Sequence, residues 1–271
     1  MTLNITMIGA GSMAEALIGG WVKDSKVSPD SIMVTNYSND FKLQELKKKY
    51  GISISRSVDE LSEHADVVFL ACKPKDWEKA LDPFRFTMKQ GTPLVSVMAG
   101  VTIQSMENFF GDHAIPVIRS IPNTSAIVQA SMTPYSIGKW ISLENKKAVT
   151  HLLQFVGQIA EVPEEKIDAM TALTGTGPAY IYYLMESMEK AAEKIGIDPE
   201  LARHLVSQTL LGASIRVQEN VFSPKSLYEQ IMSPGGTTEA GFNVLKERGV
   251  QDAMVECIEK AYERSQELGN K

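Results

Sequence analysis

What most restricts the fold of this chain is the glycine turn near its N-terminus. Residues 3–8 alternate loosely between apolar and polar and run into Gly9-Ala10-Gly11. From there Ala14, Leu17, Ile18, Trp21 and Val22 recur at helical spacing. The pattern reads as a strand, a tight turn and a helix. A second strand follows at Ile32-Met33-Val34-Thr35, then an amphipathic helix from about Phe41 to Tyr50, stopped by Gly51. Short β-branched runs at 52–54, 67–71, 94–98 and 116–120 continue the alternation, with helix-like segments between several of them. Strands that alternate with helices predict an α/β fold around a parallel, doubly wound, Rossmann-like sheet.

The pattern changes near Pro163. Beyond it the strand runs vanish and long helical patterns take over. Asp198-Pro199 and Ser223-Pro224 each place a capping residue before a proline at the first helical position. Gly196, Gly249 and Gly269 follow apolar-periodic stretches, where helices commonly stop. The expectation is therefore a Rossmann-like domain over 1–162 and an all-α domain over 163–271. A length of 271 residues admits both cores. The 13 methionines read as core and interface filler.

A net charge of −6 lacks the basic excess that nucleic-acid binding needs. Apolar runs such as that at 67–72 fall far short of the roughly 20 residues that span a bilayer. The first residues enter a strand at once, with no signal-peptide succession, so a cytoplasmic location is expected. Cys72 and Cys257 are far apart, as are His64, His113, His151 and His204, which predicts reduced thiols and no metal site.

Gly9-x-Gly11-x-x-Ala14 between a strand and a helix is the arrangement that binds dinucleotides. Gly9 permits the turn, Gly11 admits a pyrophosphate to the backbone, and Ala14 allows close packing of helix on sheet. The competing reading is a tight turn without a ligand. At the end of the second strand, where NAD-binding sites carry an acid, this chain has Asn36, followed by Tyr37, Ser38, Asn39 and Lys42. Neutral donors and a nearby cation suit a 2′-phosphate, so NADPH is favoured and NADH left open; alternatively, Asn36 and Ser38 merely form a turn. Ala71-Cys72-Lys73-Pro74 and Val97-Met98-Ala99-Gly100 also sit at the C-terminal ends of predicted strands, where such sheets bind ligands. Lys73 alone reads equally as a solvated lysine.

Two glycine-rich segments in the second half combine small and hydroxyl residues. One runs from Thr171 to Tyr180 and the other is Ser233-Pro234-Gly235-Gly236-Thr237-Thr238. Each is expected to open a helix whose first N–H groups could hold a carboxylate or a phosphate.

Taken with Gly9-Ala10-Gly11-Ser12-Met13-Ala14, Ala71-Cys72-Lys73-Pro74, Ala99-Gly100-Val101-Thr102-Ile103 and Pro122-Asn123-Thr124, these segments make the chain resemble the pyrroline-5-carboxylate reductase family over essentially its whole length. Ser125 stands where proline is common, and the segment Ser55-Arg56-Ser57-Val58 lacks a frequent asparagine. The resemblance implies NAD(P)H-dependent reduction of 1-pyrroline-5-carboxylate to L-proline, the last step of proline biosynthesis. It implies a first domain that binds the cofactor and a helical domain that binds substrate and dimerises, with dimers assembling into larger rings in some members. It further implies that Ser233, Gly235, Gly236 and Thr237 hold the substrate carboxylate and that the Thr238 hydroxyl meets the imine nitrogen.

A β-hydroxyacid dehydrogenase shares the two-domain plan but requires a lysine early on the helix after its glycine-rich segment. Here that stretch reads Tyr180-Ile181-Tyr182-Tyr183-Leu184-Met185, and the first lysine is Lys190. A non-enzymatic NADP sensor would have no need of the second anion loop.

Overall fold

A computed structural model describes residues 3–219 and 221–269. The chain divides into two compact units, one comprising residues 1–178 with 261–271, the other residues 179–260.

In the first unit the strands are β1 (Ile5–Ile8), β2 (Ile32–Thr35), β3 (Ser53–Ile54), β4 (Val67–Leu70), β5 (Leu94–Ser96), β6 (Val117–Ser120), β7 (Ser131–Ile137) and β8 (Gly157–Glu161). The helices of the chain are α1 (Ser12–Val22), α2 (Asp40–Tyr50), α3 (Val58–His64), α4 (Trp77–Leu81), α5 (Ile103–Phe110), α6 (Leu143–Gln154), α7 (Ile167–Met170), α8 (Gly177–Lys194), α9 (Pro199–Gln218), α10 (Pro224–Ile231), α11 (Thr237–Glu247) and α12 (Val250–Gly269). The strands form one eight-stranded sheet in the order β3-β2-β1-β4-β5-β6-β7-β8.

The period-2 geometry of the strands sorts their side chains onto two faces. Ile5 and Met7, Ile32 and Val34, and Val67 and Phe69 join one apolar cluster with α1, α2 and α6. Ile8, Met33, Val68 and Leu70 join a second with α3, α4 and α5. Helices thus cover both faces, which is why β1, β2 and β4 are buried throughout and why β4 reads as a continuous apolar run.

The sheet departs from the expected all-parallel arrangement at one edge, where β7 runs antiparallel to β6 before β8 adds parallel to β7. Both strands escape a search for apolar alternation. β7 reads Ser-Met-Thr-Pro-Tyr-Ser-Ile, with Ser131, Thr133 and Ser136 buried. These polar groups are tolerated because they are bonded: Ser136 Oγ donates to the Val162 carbonyl, and the Ser131 and Thr133 hydroxyls lie 3.0 Å apart.

The expected helix starts are present. Asp198 accepts from the N–H groups of Glu200 and Leu201, and Ser223 accepts from that of Ser226. Gly51, Gly196 and Gly249 follow helices in left-handed conformation, whereas Gly269 is the last residue of α12. Among the described residues no helix is long and apolar enough to cross a membrane.

Candidate active site

β1 and α1 meet at the glycine turn. Gly9 has φ +123°, and a methyl group there would lie 2.4 Å from the carbonyl oxygen of Ala71. The Gly9 N–H donates to Thr35 and that of Ala71 to Ile8, each at 2.8 Å, so the ends of β1, β2 and β4 are stitched together. The fold itself demands glycine at this position. Gly11 differs. Its φ of −80° suits any residue, and a methyl group there would meet nothing within 4 Å. Open space lies over the start of α1, whose Gly11 cap offers no side-chain acceptor, so the first-turn N–H groups face outward. Such a helix start stabilises an anion that approaches the backbone closely. Among the described residues nothing requires glycine at 11, and the backbone there is open to a ligand.

A cleft of about 710 Å³ opens at this point, along the C-terminal ends of β1, β2 and β4. Of the expected cofactor residues, Gly9, Ala10, Gly11, Asn36, Ser38, Ala71, Cys72 and Lys73 line it. Ser12, Met13, Pro74, Val97 and Ala99 do not, and Ala14 is fully buried on the core face of α1. The Met98 side chain is also buried, packed in the second core cluster, so only its backbone is suited to a ligand. The Cys72 thiol donates to Met98 Sδ at 3.5 Å, and burial pushes it up to about 11, which favours the protonated thiol. Leu61, Ala80, Pro83 and Phe84 add an apolar wall of a kind suited to a purine ring.

At the end of β2, Asn36 does form a turn: its amide donates to the Asn39 carbonyl and its Oδ1 accepts the Asn39 N–H at 3.0 Å. Asn39 in turn caps α2 by accepting from the Lys42 N–H. The Lys42 ammonium, expected to serve a phosphate, is otherwise engaged. It lies 2.7 Å from Glu15 and 3.1 Å from Glu45, and Lys49 also reaches Glu15, at 2.8 Å. These hydrogen bonds, Lys42 first, hold the Glu15 carboxyl down at about 2. Arg56, in the segment that departs from the family pattern and with no role expected of it, lines the same rim. Its guanidinium donates to the Asn36 carbonyl, to Asn36 Oδ1 at 3.1 Å and to Asp40. The signal that could have found it is β-pairing: Ile54 is the partner of Val34, so the residues just after β3 arrive beside those just after β2.

Farther along the first unit, Thr171–Gly175 is not the open helix start that was expected. It is a π-helical turn between α7 and α8, with the Thr176 N–H bonded to the Thr171 carbonyl. The hydroxyls of Thr171, Thr174 and Thr176 donate back to carbonyls one turn earlier. Threonine and glycine here accommodate a widened turn: a methyl group at Gly175 would lie 2.9 Å from the Ile121 side chain.

In the second unit the other glycine-rich segment does open a helix. Gly236 is the N-cap of α11 without side-chain capping, leaving the first-turn N–H groups from Thr237 onward without such a partner. The loop is tight: the Gly236 N–H donates to the Ser233 carbonyl at 3.0 Å, and a methyl group at Gly236 would meet Ser233 Oγ at 2.6 Å. Glu239 reaches back to accept the Gly235 N–H at 2.8 Å. Ser233, Gly235 and Thr237 are exposed, and Gly236 and Thr238 are half-buried. The loop therefore offers hydroxyls and N–H groups to an anion without a cationic side chain.

Comparison with known proteins gives consistent matches. Residues 164–268 match the family described as pyrroline-5-carboxylate reductase dimerisation, and residues 4–100 match NADP oxidoreductase coenzyme F420-dependent. Pyrroline-5-carboxylate reductase 2 of Bacillus subtilis is 41% identical over 264 residues, covering 97% of this chain and 94% of the relative. The crystal structure of Plasmodium falciparum pyrroline carboxylate reductase with NADP bound superposes with a TM-score of 0.90 at 27% identity, covering 98% of each chain. A pyrroline-5-carboxylate reductase from Coxiella burnetii gives 0.84 at 32% identity and 99% coverage of each.

Proposed function

The chain belongs to the pyrroline-5-carboxylate reductase family, and from that premise we propose that it reduces 1-pyrroline-5-carboxylate to L-proline, using NADPH in preference to NADH. The observation that carries this reading is Gly11, where the missing side chain leaves open space over an uncapped helix start. A second uncapped start at Gly236 supports it, since the reaction needs one anion site for a pyrophosphate and another for a carboxylate.

Bound in the cleft, a reduced nicotinamide nucleotide supplies the hydride. The chain's own part is to bind and orient. Backbone at Gly9, Ala10, Gly11, Ser12 and Met13 would hold the pyrophosphate, with Ala14 packed in the core. Asn36 and Ser38 would border the ribose, and backbone at 71–74 and, beyond the cleft lining, at 97–99 would border the nicotinamide. Ser233, Gly235, Gly236 and Thr237 anchor the substrate carboxylate, and the Thr238 hydroxyl hydrogen-bonds the imine nitrogen. An alcohol is too weak an acid to protonate an imine unaided, so the substrate reacts as its iminium ion or takes a proton from water through Thr238.

The domain division we assign is 1–162 for cofactor and 163–271 for substrate and dimerisation. Among the described residues of 179–260, only Ala192, Ala202, Val206 and Leu227 are buried hydrophobics. Meanwhile Ile181, Leu201, Leu205, Leu211, Ile215 and Val244 are all more than 40% exposed. So much uncovered apolar surface supports a homodimer whose helices complete each other's core, with dimers closing into a larger ring as the further step. A cytoplasmic site of action belongs to the same reading.

The test is the initial rate of NADPH oxidation with 1-pyrroline-5-carboxylate and, in parallel, with an open-chain 2-oxo or 3-oxo acid. Turnover of the imine alone is expected. Activity only on the oxo acid moves the chain to the hydroxyacid class, and silence on both favours a binding protein. Thr238→Ala should lower kcat/KM for the imine about 100-fold while leaving the NADPH Kd within about threefold.

A further inference from the structure

A nucleotide whose pyrophosphate lies at Gly11 directs its adenosine ribose to the C-terminal end of β2. The sequence there supplies no carboxylate in the place of Asn36, and it offers Lys42 as the cation. The structure redistributes these charges. Lys42 faces Glu15 at 2.7 Å and Glu45 at 3.1 Å, and Glu15, held down by Lys42 and Lys49, stays ionised throughout the working pH range. The charge of Lys42 is spent on tying α2 to α1.

Arg56 is placed differently. It leaves the sheet just after β3 and crosses to the turn after β2, where the Asn36 carbonyl and the Asn36 side chain accept two of its N–H groups. Asn36 is itself fixed by two hydrogen bonds with Asn39, so the guanidinium is aimed by the backbone. Its ionic partner, Asp40, is 80% exposed, and a pair so open to water is weak and exchangeable. A guanidinium carries five N–H donors in a planar fork. Asn36 takes two of them, and a phosphate that displaced Asp40 would meet the Nε–Nη2 edge of the fork, a geometry that a lysine cannot reproduce.

We propose that Arg56 is the residue that reads the 2′-phosphate of the cofactor and sets the preference for NADPH over NADH, with Asp40 holding the guanidinium in place until the phosphate displaces it. The assignment rests on the reading of the cleft as a nicotinamide-nucleotide site. Its test therefore uses binding alone, apart from turnover.

Adenosine 2′,5′-bisphosphate and 5′-AMP are titrated by calorimetry into the wild-type protein and into Arg56→Gln, Arg56→Lys, Lys42→Gln and Asp40→Asn. The wild type should prefer the bisphosphate. Arg56→Gln should weaken bisphosphate binding about 10- to 100-fold and leave 5′-AMP within about threefold, with Arg56→Lys intermediate. Lys42→Gln should leave the ratio of the two affinities unchanged, and Asp40→Asn should tighten the bisphosphate about two- to fivefold. An unchanged ratio in Arg56→Gln, an equal loss for both nucleotides, or a selective loss in Lys42→Gln overturns the assignment. Wild-type protein that binds both nucleotides without preference also overturns it while sparing the cofactor reading; wild-type protein that binds neither overturns both.

Discussion

Along β4, Val67, Val68, Phe69 and Leu70 are each at most 1% exposed, whereas along α9 Leu201, Leu205, Leu211 and Ile215 are 42 to 53% exposed. Both stretches are apolar, but they face different surroundings. β4 lies inside a sheet covered by helices on two faces, so the first unit closes its core from its own chain. α9 turns Ala202 and Val206 inward, and its larger residues fall on one outward stripe at helical spacing. Apolar content alone does not say where a core is completed. One unit is finished by intramolecular packing, and the other is built to be finished by a second copy.

The sharpest way to break this contrast is to charge the stripe. Leu205→Asp with Ile215→Asp should raise the dimer Kd by about 10³-fold, seen by light scattering as a fall to monomer mass at micromolar concentration. Imine reduction should fall with it, while binding of adenosine 2′,5′-bisphosphate, a property of the first unit, should stay within about threefold. A dimer of unchanged affinity would mean that the stripe is not the interface.

A smaller effect is expected inside the self-sufficient unit. Arg119 on β6 is 2% exposed and pairs with Asp168 at 2.9 Å and Glu164 at 3.5 Å, while Ser265 donates to the same Asp168 oxygen. Arg119→Ala leaves these acids uncompensated and should cost about 3–5 kcal/mol in urea denaturation. A cost under about 1 kcal/mol would show that this junction does not help close the first unit.

The smallest effect belongs to the Glu15 network, which joins α1 to α2 at the surface. Glu15→Gln should cost about 1 kcal/mol at neutral pH. The Glu15 carboxyl is held at about 2, below its ordinary 4.5, so its stabilisation is complete above about pH 4.5 and lost as the pH falls towards 2. The gap between wild type and variant should therefore narrow over that interval. The Lys42 ammonium is shifted upward by the same Glu15 hydrogen bond, so the network also weakens as the pH rises above 10.5. A gap that stays constant from pH 6 to pH 3 would remove Glu15 from this role.

Much of the first unit could be read from the chain, because parallel strands buried on both faces leave short, mostly apolar runs. The β7 edge could not, since its buried Ser131, Thr133 and Ser136 depend on partners that no local pattern announces. The segment at 171–175 misled for a related reason: glycine and threonine serve a widened helical turn as well as they serve a loop.

By itself, the sequence determined the strand–turn–helix at Gly9 to Ala14, the capped helix starts at Asp198 and Ser223, and the Ser233–Thr238 loop. Each is a matter of local backbone geometry encoded within a few residues. Only the tertiary structure decided that Lys42 is neutralised by Glu15, that Arg56 crosses to Asn36, and that Gly11 stands over open space. Those outcomes depend on which strands pair and which helices touch, and side chains distant in sequence become neighbours only when the sheet order and its register bring them together.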